Sequence, residues 1–430
     1  MTEKLRQEPL QPTLFVKTAY RDTHHFVEKS RTLKAMLSST LPGMRRAKTA
    51  QRAVGTYFLA NGIVMGAWVP HVPDRARDLH LNPATLGWAL LASGLGAVLA
   101  MPIAGRMTAR LGSRAVCQVA GIAFPIVLSA VVLAPTALLM ALALLCFGVA
   151  GSSMDVSMNA QGIAVEEQLG ERTISRLHGL WSIGSFTGAA ITSFLLSRHV
   201  PAQVIVLSFS AFAALLVVAA TPFLFTRAEE GLHDQPLALR PHGQLLLLGL
   251  VAFVSMVCEG SIADWSGLYL RVVRGAGDGV SGYGYAAFAA LMVTGRLTGD
   301  SVVARIGEER TLLAGGLLAA AGLGVVIGTG WEHLASELWW LLGFALVGAG
   351  LANGSPVIYR TAGRVRDVPA GAGIATTVGI GYAGLLAGPP GLGFVGKHAG
   401  LTSILICVMV LCCVMALSSR LVRGLAAPPL

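Results

Sequence analysis

Between two apolar runs, at 85–105 and 115–134, the chain reads Gly105-Arg106-Met107-Thr108-Ala109-Arg110-Leu111-Gly112-Ser113-Arg114. Arginines and a tight-turn glycine here close a short polar loop between two segments that water would reject. The core of this loop returns 195 positions later as Val303-Ala304-Arg305-Ile306-Gly307, again after an apolar run. A loop repeated at that distance says that the chain is built from two equivalent halves.

The surrounding composition explains what the halves are made of. Of the 430 residues, 54% are hydrophobic, 13% are charged and 52 are glycine. A soluble chain carries about a quarter charged residues, and an apolar run of about 20 residues spans a bilayer as a helix. Runs of that kind are read at 53–72, 85–105, 115–134, 137–159, 176–197, 202–225, 244–270, 281–303, 311–330, 336–358, 371–394 and 399–419. The expected fold class is therefore an all-α polytopic membrane protein with 12 transmembrane helices, which excludes a soluble enzyme, a disordered scaffold and a secreted disulfide framework.

The domain plan follows from the polar breaks. Residues 1–50 hold ten Lys or Arg against four acids and are expected to be a disordered cytoplasmic tail, with Met36 and Met44 as alternative starts. An amphipathic surface helix near Phe26–Leu41 is the other reading of that tail. A six-helix bundle is expected over 51–225, a central linker over 226–243, a second bundle over 244–420, and a cytoplasmic tail over 421–430. With no apolar h-region in the first 50 residues, the first span is expected to act as the signal.

Charge sets the expected orientation. With both termini in the cytoplasm, eighteen Lys or Arg fall on inner loops and six on outer loops, as the positive-inside rule requires. The net charge of +10 is thus explained by the bilayer, without nucleic acid. Trp68, Trp88, Trp265, Trp331, Trp339 and Trp340 fall near outer ends and read mostly as interfacial anchors. The six cysteines all lie in apolar runs and read as small packing residues.

The duplicated loop also carries a resemblance. Gly105, Arg110, Gly112 and Arg114 match the Gly-x-x-x-Asp-Arg-x-Gly-Arg-Arg loop of the major facilitator superfamily, while Ala109 stands where that family has its acid. The resemblance covers about residues 50–420 and implies two pseudo-symmetric six-helix bundles rocking around a midplane cavity. It makes Arg110, Gly112, Arg114 and Arg305 gating candidates, together with Arg296 and Asp300, which look like that superfamily's Gly-Arg-x-x-Gly-Asp segment.

Ionisable groups inside apolar runs need a reason, because each costs about 2.5–3.5 kcal/mol or more at bilayer depth. Asp155 and Asn159 form one polar stripe with Ser152 and resemble the fourth-helix Glu-x-x-x-Asn of fucose-permease-like sugar:proton symporters. Trp68-Val69-Pro70-His71 resembles that branch's Val-Pro-His ending, but Gly66 stands where its acid is expected. Glu259 sits deep in the seventh run and reads as a proton-coupling carboxylate, with a packing role as the alternative. Arg296 and Asp300 are four apart and are expected to pair with each other. Asp264 reads as a solvated helix end or an outer gate. Asn61, Asn353 and Tyr382 are further substrate candidates. His178, Trp181 and Ser182 open the fifth run, with His178 read as a hydrogen-bonding group. Gly384-x-x-x-Gly388-Pro389-Pro390-Gly391 is expected to break or bend the eleventh.

No nucleotide-binding Gly-x-x-x-x-Gly-Lys loop, metal-ligand spacing or Ser/His/Asp set is legible, so no enzyme, cofactor or metal is expected. The expected function is proton-coupled, alternating-access transport of a small polar solute, with sugars or polyols favoured by the resemblance to fucose-permease and rhizopine-type carriers. A monomer in a bacterial inner membrane is expected. The alternatives are an exporter of amphipathic compounds and a non-transporting membrane sensor or assembly factor.

Overall fold

The computed structural model describes residues 43–171, 173–230, 243–328, 336–365, 368 and 370–421. The expectations for residues 1–42, for most of the central linker, for Trp331 and for the C-terminal tail lie outside these residues.

The described chain is helical throughout. The long helices are α1 (Gly43–Asp78, with a 3₁₀ turn at Val69–His71), α2 (Pro83–Leu111), α3 (Ser113–Val132), α4 (Ala137–Leu169), α5 (Ile174–Ser197) and α6 (Ala202–Ala220) in the first half. The second half has α7 (Gly243–Val272), α8 (Tyr283–Ile306), α9 (Glu308–Gly328), α10 (Glu337–Ala362), α11 (Ala370–Ala399) and α12 (Leu401–Leu417). Eleven of these are long and apolar enough to cross a membrane, and α8 falls short of that measure. Its Arg296, Asp300 and Arg305 lower its hydropathy while its length still suits a span.

Several helices outrun the apolar segments that announce them, α4 by ten residues at its C-terminus. Polarity ends an apolar run, but a helix continues until a cap stops it. Gly170 in the left-handed region stops α4, accepting no penalty for its positive φ of 66°. The two copies of the repeated loop end alike: Gly112 at φ 87° and Gly307 at φ 83° both direct their N–H to the carbonyl four residues back. Of the break or bend expected in the eleventh run, no break is seen, because α11 passes through Pro389 and Pro390 as one helix. The tenth run does break, at Ala352–Asn353, between Ser336–Leu351 and Gly354–Ala362.

Glycine decides how the helices meet. A Cβ on Gly62 or Gly66 of α1 would collide with the carbonyls of Trp181 or Ser185 on α5, and one on Gly184 or Gly188 of α5 with those of Leu59 or Ile63 on α1. The Gly66 contact accounts for the missing acid: no side chain fits there. In the second half Gly384 of α11 meets the Phe253 carbonyl of α7, the pair equivalent by the internal repeat. Gln161 ties the first half together at its other end. Its buried amide donates to Ser113 Oγ at 2.7 Å and to the Phe225 carbonyl at 2.9 Å, and its oxygen accepts from Phe225 N at 2.9 Å.

The two six-helix bundles touch mainly through α2 with α11 and α5 with α8, pairs that exchange when the halves are swapped. The contacts gather toward one end. Gly87 of α2 lies against Pro389 of α11, and Gly279, just before α8, against Ser193 of α5. That end, carrying His71 and Asp278, is termed the closed end; the end carrying Gly112 and Gly307, where Gly105 and Gly307 have free space beside them, is termed the open end.

The indole placements correct one expectation. Trp88 and Trp339 are exposed as membrane anchors should be, but Trp68, Trp265 and Trp340 are buried. A helix end packed against neighbouring helices is as dry as its middle, so sequence position alone does not give lipid contact. Among the cysteines, Cys258 and Cys412 are buried and packed across α7 and α12 with their sulfurs 3.8 Å apart.

Candidate functional site

Glu259 on α7 and Arg296 on α8 form an ion pair at 2.7 Å, with side chains 22% and 25% exposed. They are therefore shielded from bulk water but still reach open space. Arg296 also approaches Ser182 Oγ of α5 at 3.5 Å, so the pair built by the second bundle leans on the first. The predicted Arg296–Asp300 pair is not formed: Asp300 binds Arg360 at 2.8 Å, with its side chain 87% exposed. The i, i+4 geometry permits their pairing, but Glu259 offers Arg296 a partner in the interior, where an isolated charge costs several kcal/mol.

Next to this pair lie neutral hydrogen bonds, one joining the bundles and one within the first. Ser185 Oγ of α5 and Tyr285 OH of α8 lie 3.0 Å apart and are buried. Trp181 donates its indole N–H to Asn61 Oδ1 at 2.8 Å. Asn61 is buried with its oxygen thus engaged, which makes it the group that fixes the Trp181 ring. His178, a turn earlier on α5, stands edge-on to Phe58 at 5.1 Å.

Across the interface, Asp155 on α4 has Asn159 as its hydrogen-bond partner, Nδ2 donating to Oδ1 at 3.1 Å and to the Asp155 carbonyl at 2.9 Å. Ser152, on the same stripe, is buried with no hydrogen-bond partner among the described residues. Tyr382 of α11 shares its surroundings with Asp155, Tyr359 and Glu259. Asn353 belongs elsewhere. It sits at the break in α10 and donates to the Gly295 carbonyl of α8 at 3.3 Å, fastening the two helices.

Sequence reasoning singled out Asp155, Asn159, Glu259 and Tyr382 as substrate or proton candidates and Arg296 as a gating candidate; the structure pairs Glu259 with Arg296 and Asp155 with Asn159, with Tyr382 near both acids. Sequence reasoning missed Ser185 and Tyr285. Ser185 had a signal, because His178, Ser182 and Ser185 share one face of α5 by their spacing; a lone tyrosine in an apolar run gives none. Among the described residues no group of three or more His, Cys, Asp or Glu is arranged to hold a metal.

At the closed end, charges bridge the bundles. Arg271 of α7 meets Asp74 of α1 at 3.3 Å and also pairs with Asp278, while Arg77 reaches Asp278 at 3.4 Å. At the open end the ion pairs stay within one half. Arg46 binds Glu229 at 2.9 Å, and Arg364 binds Glu308 at 3.1 Å. Arg110 and Arg305 are exposed there and make no ion pair among the described residues.

The comparison with known families decides what this architecture is. The model of the Major Facilitator Superfamily matches residues 53–389. The chain belongs to that superfamily. An uncharacterized MFS-type transporter of Yersinia pestis is 37% identical over 381 residues, covering 89% of this chain and 97% of the relative. Membrane protein MosC of Rhizobium meliloti is 33% identical over 382 residues, covering 88% and 91%. Among solved structures, the nucleoside transporter NupG superposes with a TM-score of 0.68 at 14% identity, over 87% of this chain and 99% of NupG. A variant of NupG gives 0.72 at 13% identity, over 87% and 99%. Those likenesses show the fold. As a superfamily member, the chain is a multi-pass membrane protein of a transporter family.

Proposed function

We propose that this protein is a proton-coupled secondary transporter of a small polar solute, a sugar or polyol, working as a monomer by alternating access in a bacterial inner membrane. The observation that carries the reading is the Glu259–Arg296 pair leaning on Ser182 across the bundle interface, with Asp155 facing the same region. A bound solute with several hydroxyls would exchange hydrogen bonds with Asn159, Arg296 and Tyr382, and the Trp181 ring would offer an apolar face to a sugar's C–H groups. A proton delivered to Glu259 frees Arg296 from its partner, so the contact to Ser182 and the bundle angle become linked to protonation. The eighteen-to-six distribution of Lys and Arg supports cytoplasmic termini, which puts the Gly112/Gly307 end on the cytoplasmic side.

The test is uptake into proteoliposomes against a panel of sugars, polyols and nucleosides, chosen after a thermal-shift screen. Glu259→Gln should abolish pH-gradient-driven uptake while counterflow exchange stays within about twofold of the parent. Undiminished driven uptake in that variant would remove Glu259 from coupling. Absence of flux for every ligand that binds would favour the sensor reading.

A further inference from the structure

The two carboxylates of the candidate site are not equally provided for. Glu259 has the Arg296 guanidinium at 2.7 Å. Asp155, partly exposed on α4, has only the neutral Asn159 side chain, and no ion pair reaches it among the described residues. Asp155, Glu259 and Arg296 together therefore leave one negative charge without a counter-charge.

The hydrogen bonds around Asp155 sharpen this imbalance. The Asn159 amide nitrogen has two hydrogens to give, and it donates to Asp155 Oδ1 at 3.1 Å and to the Asp155 carbonyl at 2.9 Å. Both partners are acceptors, which fixes the amide with its nitrogen toward them and leaves its oxygen free. Among the described residues neither Asn159 Oδ1 nor Asp155 Oδ2 has a hydrogen bond. Ser152 Oγ, a turn earlier on the same stripe, is buried with no partner either. The stripe thus offers free acceptor oxygens and a negative charge, with the amide N–H groups already engaged. On the other side of the site the polarity reverses, because Arg296 brings guanidinium donors and Tyr382, near both acids, brings a hydroxyl.

A solute hydroxyl is donor and acceptor at once, so against Asp155 and Asn159 it leaves its own lone pairs idle and the charge uncompensated, which is costly at this depth. A primary ammonium has three N–H donors, no acceptor and a full positive charge. It matches both free oxygens and the charge, through hydrogen bonds about twice as strong as neutral ones. We propose that the solute is an amino sugar or amino polyol, whose ammonium sits between Asp155 and Asn159 while its hydroxyls face Arg296 and Tyr382. The proposal rests on the transport reading above and names its substrate class. Asp155 serves in it as the counter-charge of the solute, and Glu259 keeps the coupling role.

Calorimetric titration of the full chain in lipid nanodiscs, with solutes that differ in one group, tests this. The pairs are glucosamine against glucose, glucamine against sorbitol and an aminodeoxyinositol against myo-inositol, at a pH where the amines are charged. In each pair that binds, the amine should be favoured by at least about tenfold. N-acetylglucosamine, which keeps the nitrogen and loses the charge, should fall with glucose. Asp155→Asn should bring the members of a pair to within about twofold by weakening the amine alone, and Asp155→Glu should keep the amine preferred. Equal affinities in the parent, or a preference for the neutral member, overturn the amine proposal; Glu259-dependent driven uptake of the neutral solute then leaves the transport reading standing. An amine preference that survives Asp155→Asn overturns the placement on α4. Binding by no member of any pair overturns both. If Asp155→Asn does not fold, Asn159→Leu should cut the amine preference several-fold, and an unchanged ratio overturns the proposal.

Discussion

The two ends of the bundle seam are built from the same materials and use them differently. At the closed end, Arg271 joins Asp74 of the other bundle, Arg77 joins Asp278, and glycine lets backbones touch across the seam. At the open end, Arg360, Arg364 and Arg46 pair within their own halves, and the repeated loops carry Arg110 and Arg305 into solvent. The difference teaches that ion pairs alone do not mark a gate. What matters is whether the partners belong to bodies that separate. Charges within one bundle hold its surface; charges between bundles report, and bias, the conformational equilibrium.

Two glycines with positive φ break this comparison most sharply. Gly279 has φ 74° and backbone of α5 at its Cβ position, whereas Gly307 has φ 83° and open space. Gly279→Ala should prevent the seam from shutting. Maleimide labelling of a cysteine placed at Ser281, buried in that seam, should accelerate by more than about tenfold, since a shift of 1.4 kcal/mol already gives tenfold. Gly307→Ala should cost about 1–3 kcal/mol of backbone strain and leave the labelling rate unchanged.

A smaller effect is expected from charge. Arg271→Gln leaves Asp74 and Asp278 with Arg77 alone as their shared cation, and labelling at position 281 should rise several-fold. Asp300→Asn removes the equivalent interaction at the open end, but its side chain is 87% exposed. Solvent-exposed pairs contribute about 0–1 kcal/mol, so neither labelling nor melting temperature should move measurably.

The smallest effect belongs to Glu229. Burial acts upward on its carboxyl, but the Thr226 backbone N–H and hydroxyl and the Arg46 guanidinium outweigh it and hold it below the usual carboxylate range. A carboxyl depressed by folding stabilises the fold above its unfolded value, and this contribution is lost as pH falls through the folded one. Glu229→Gln should therefore lower the melting temperature by a degree or two at neutral pH, and the gap should close in acid. A gap that persists there would mean that the carboxylate charge is not the source.

Much of the fold was legible because bilayer solvation leaves a strong imprint: an apolar run must be a helix, and the repeated Arg-x-Gly loop marks where the halves correspond. The candidate site was legible as a set of residues costly at their depth, namely Asp155, Glu259 and Arg296. Pairing was not. Arg296 and Asp300 look like partners along the sequence, yet the interior supplies Glu259 from another helix, and no periodicity within α8 encodes that. Asn61 and Asn353 were visible as polar groups in apolar runs, but whether an amide meets a ligand or a neighbouring helix depends on packing.

The backbone contacts of Gly62, Gly66, Gly184 and Gly188 carry a practical consequence for anyone wishing to toughen this protein. Exchanging glycine for alanine in helices is a standard route to heat resistance, because it restricts the denatured chain. Here that route is blocked at the very positions a propensity scale would nominate first, since a methyl group at any of them would pry α1 from α5. Hardening the molecule must start from glycines with free space around them, such as Gly105, Gly324 and Gly391, where the usual gain of about 0.4–1 kcal/mol is open to collection one substitution at a time.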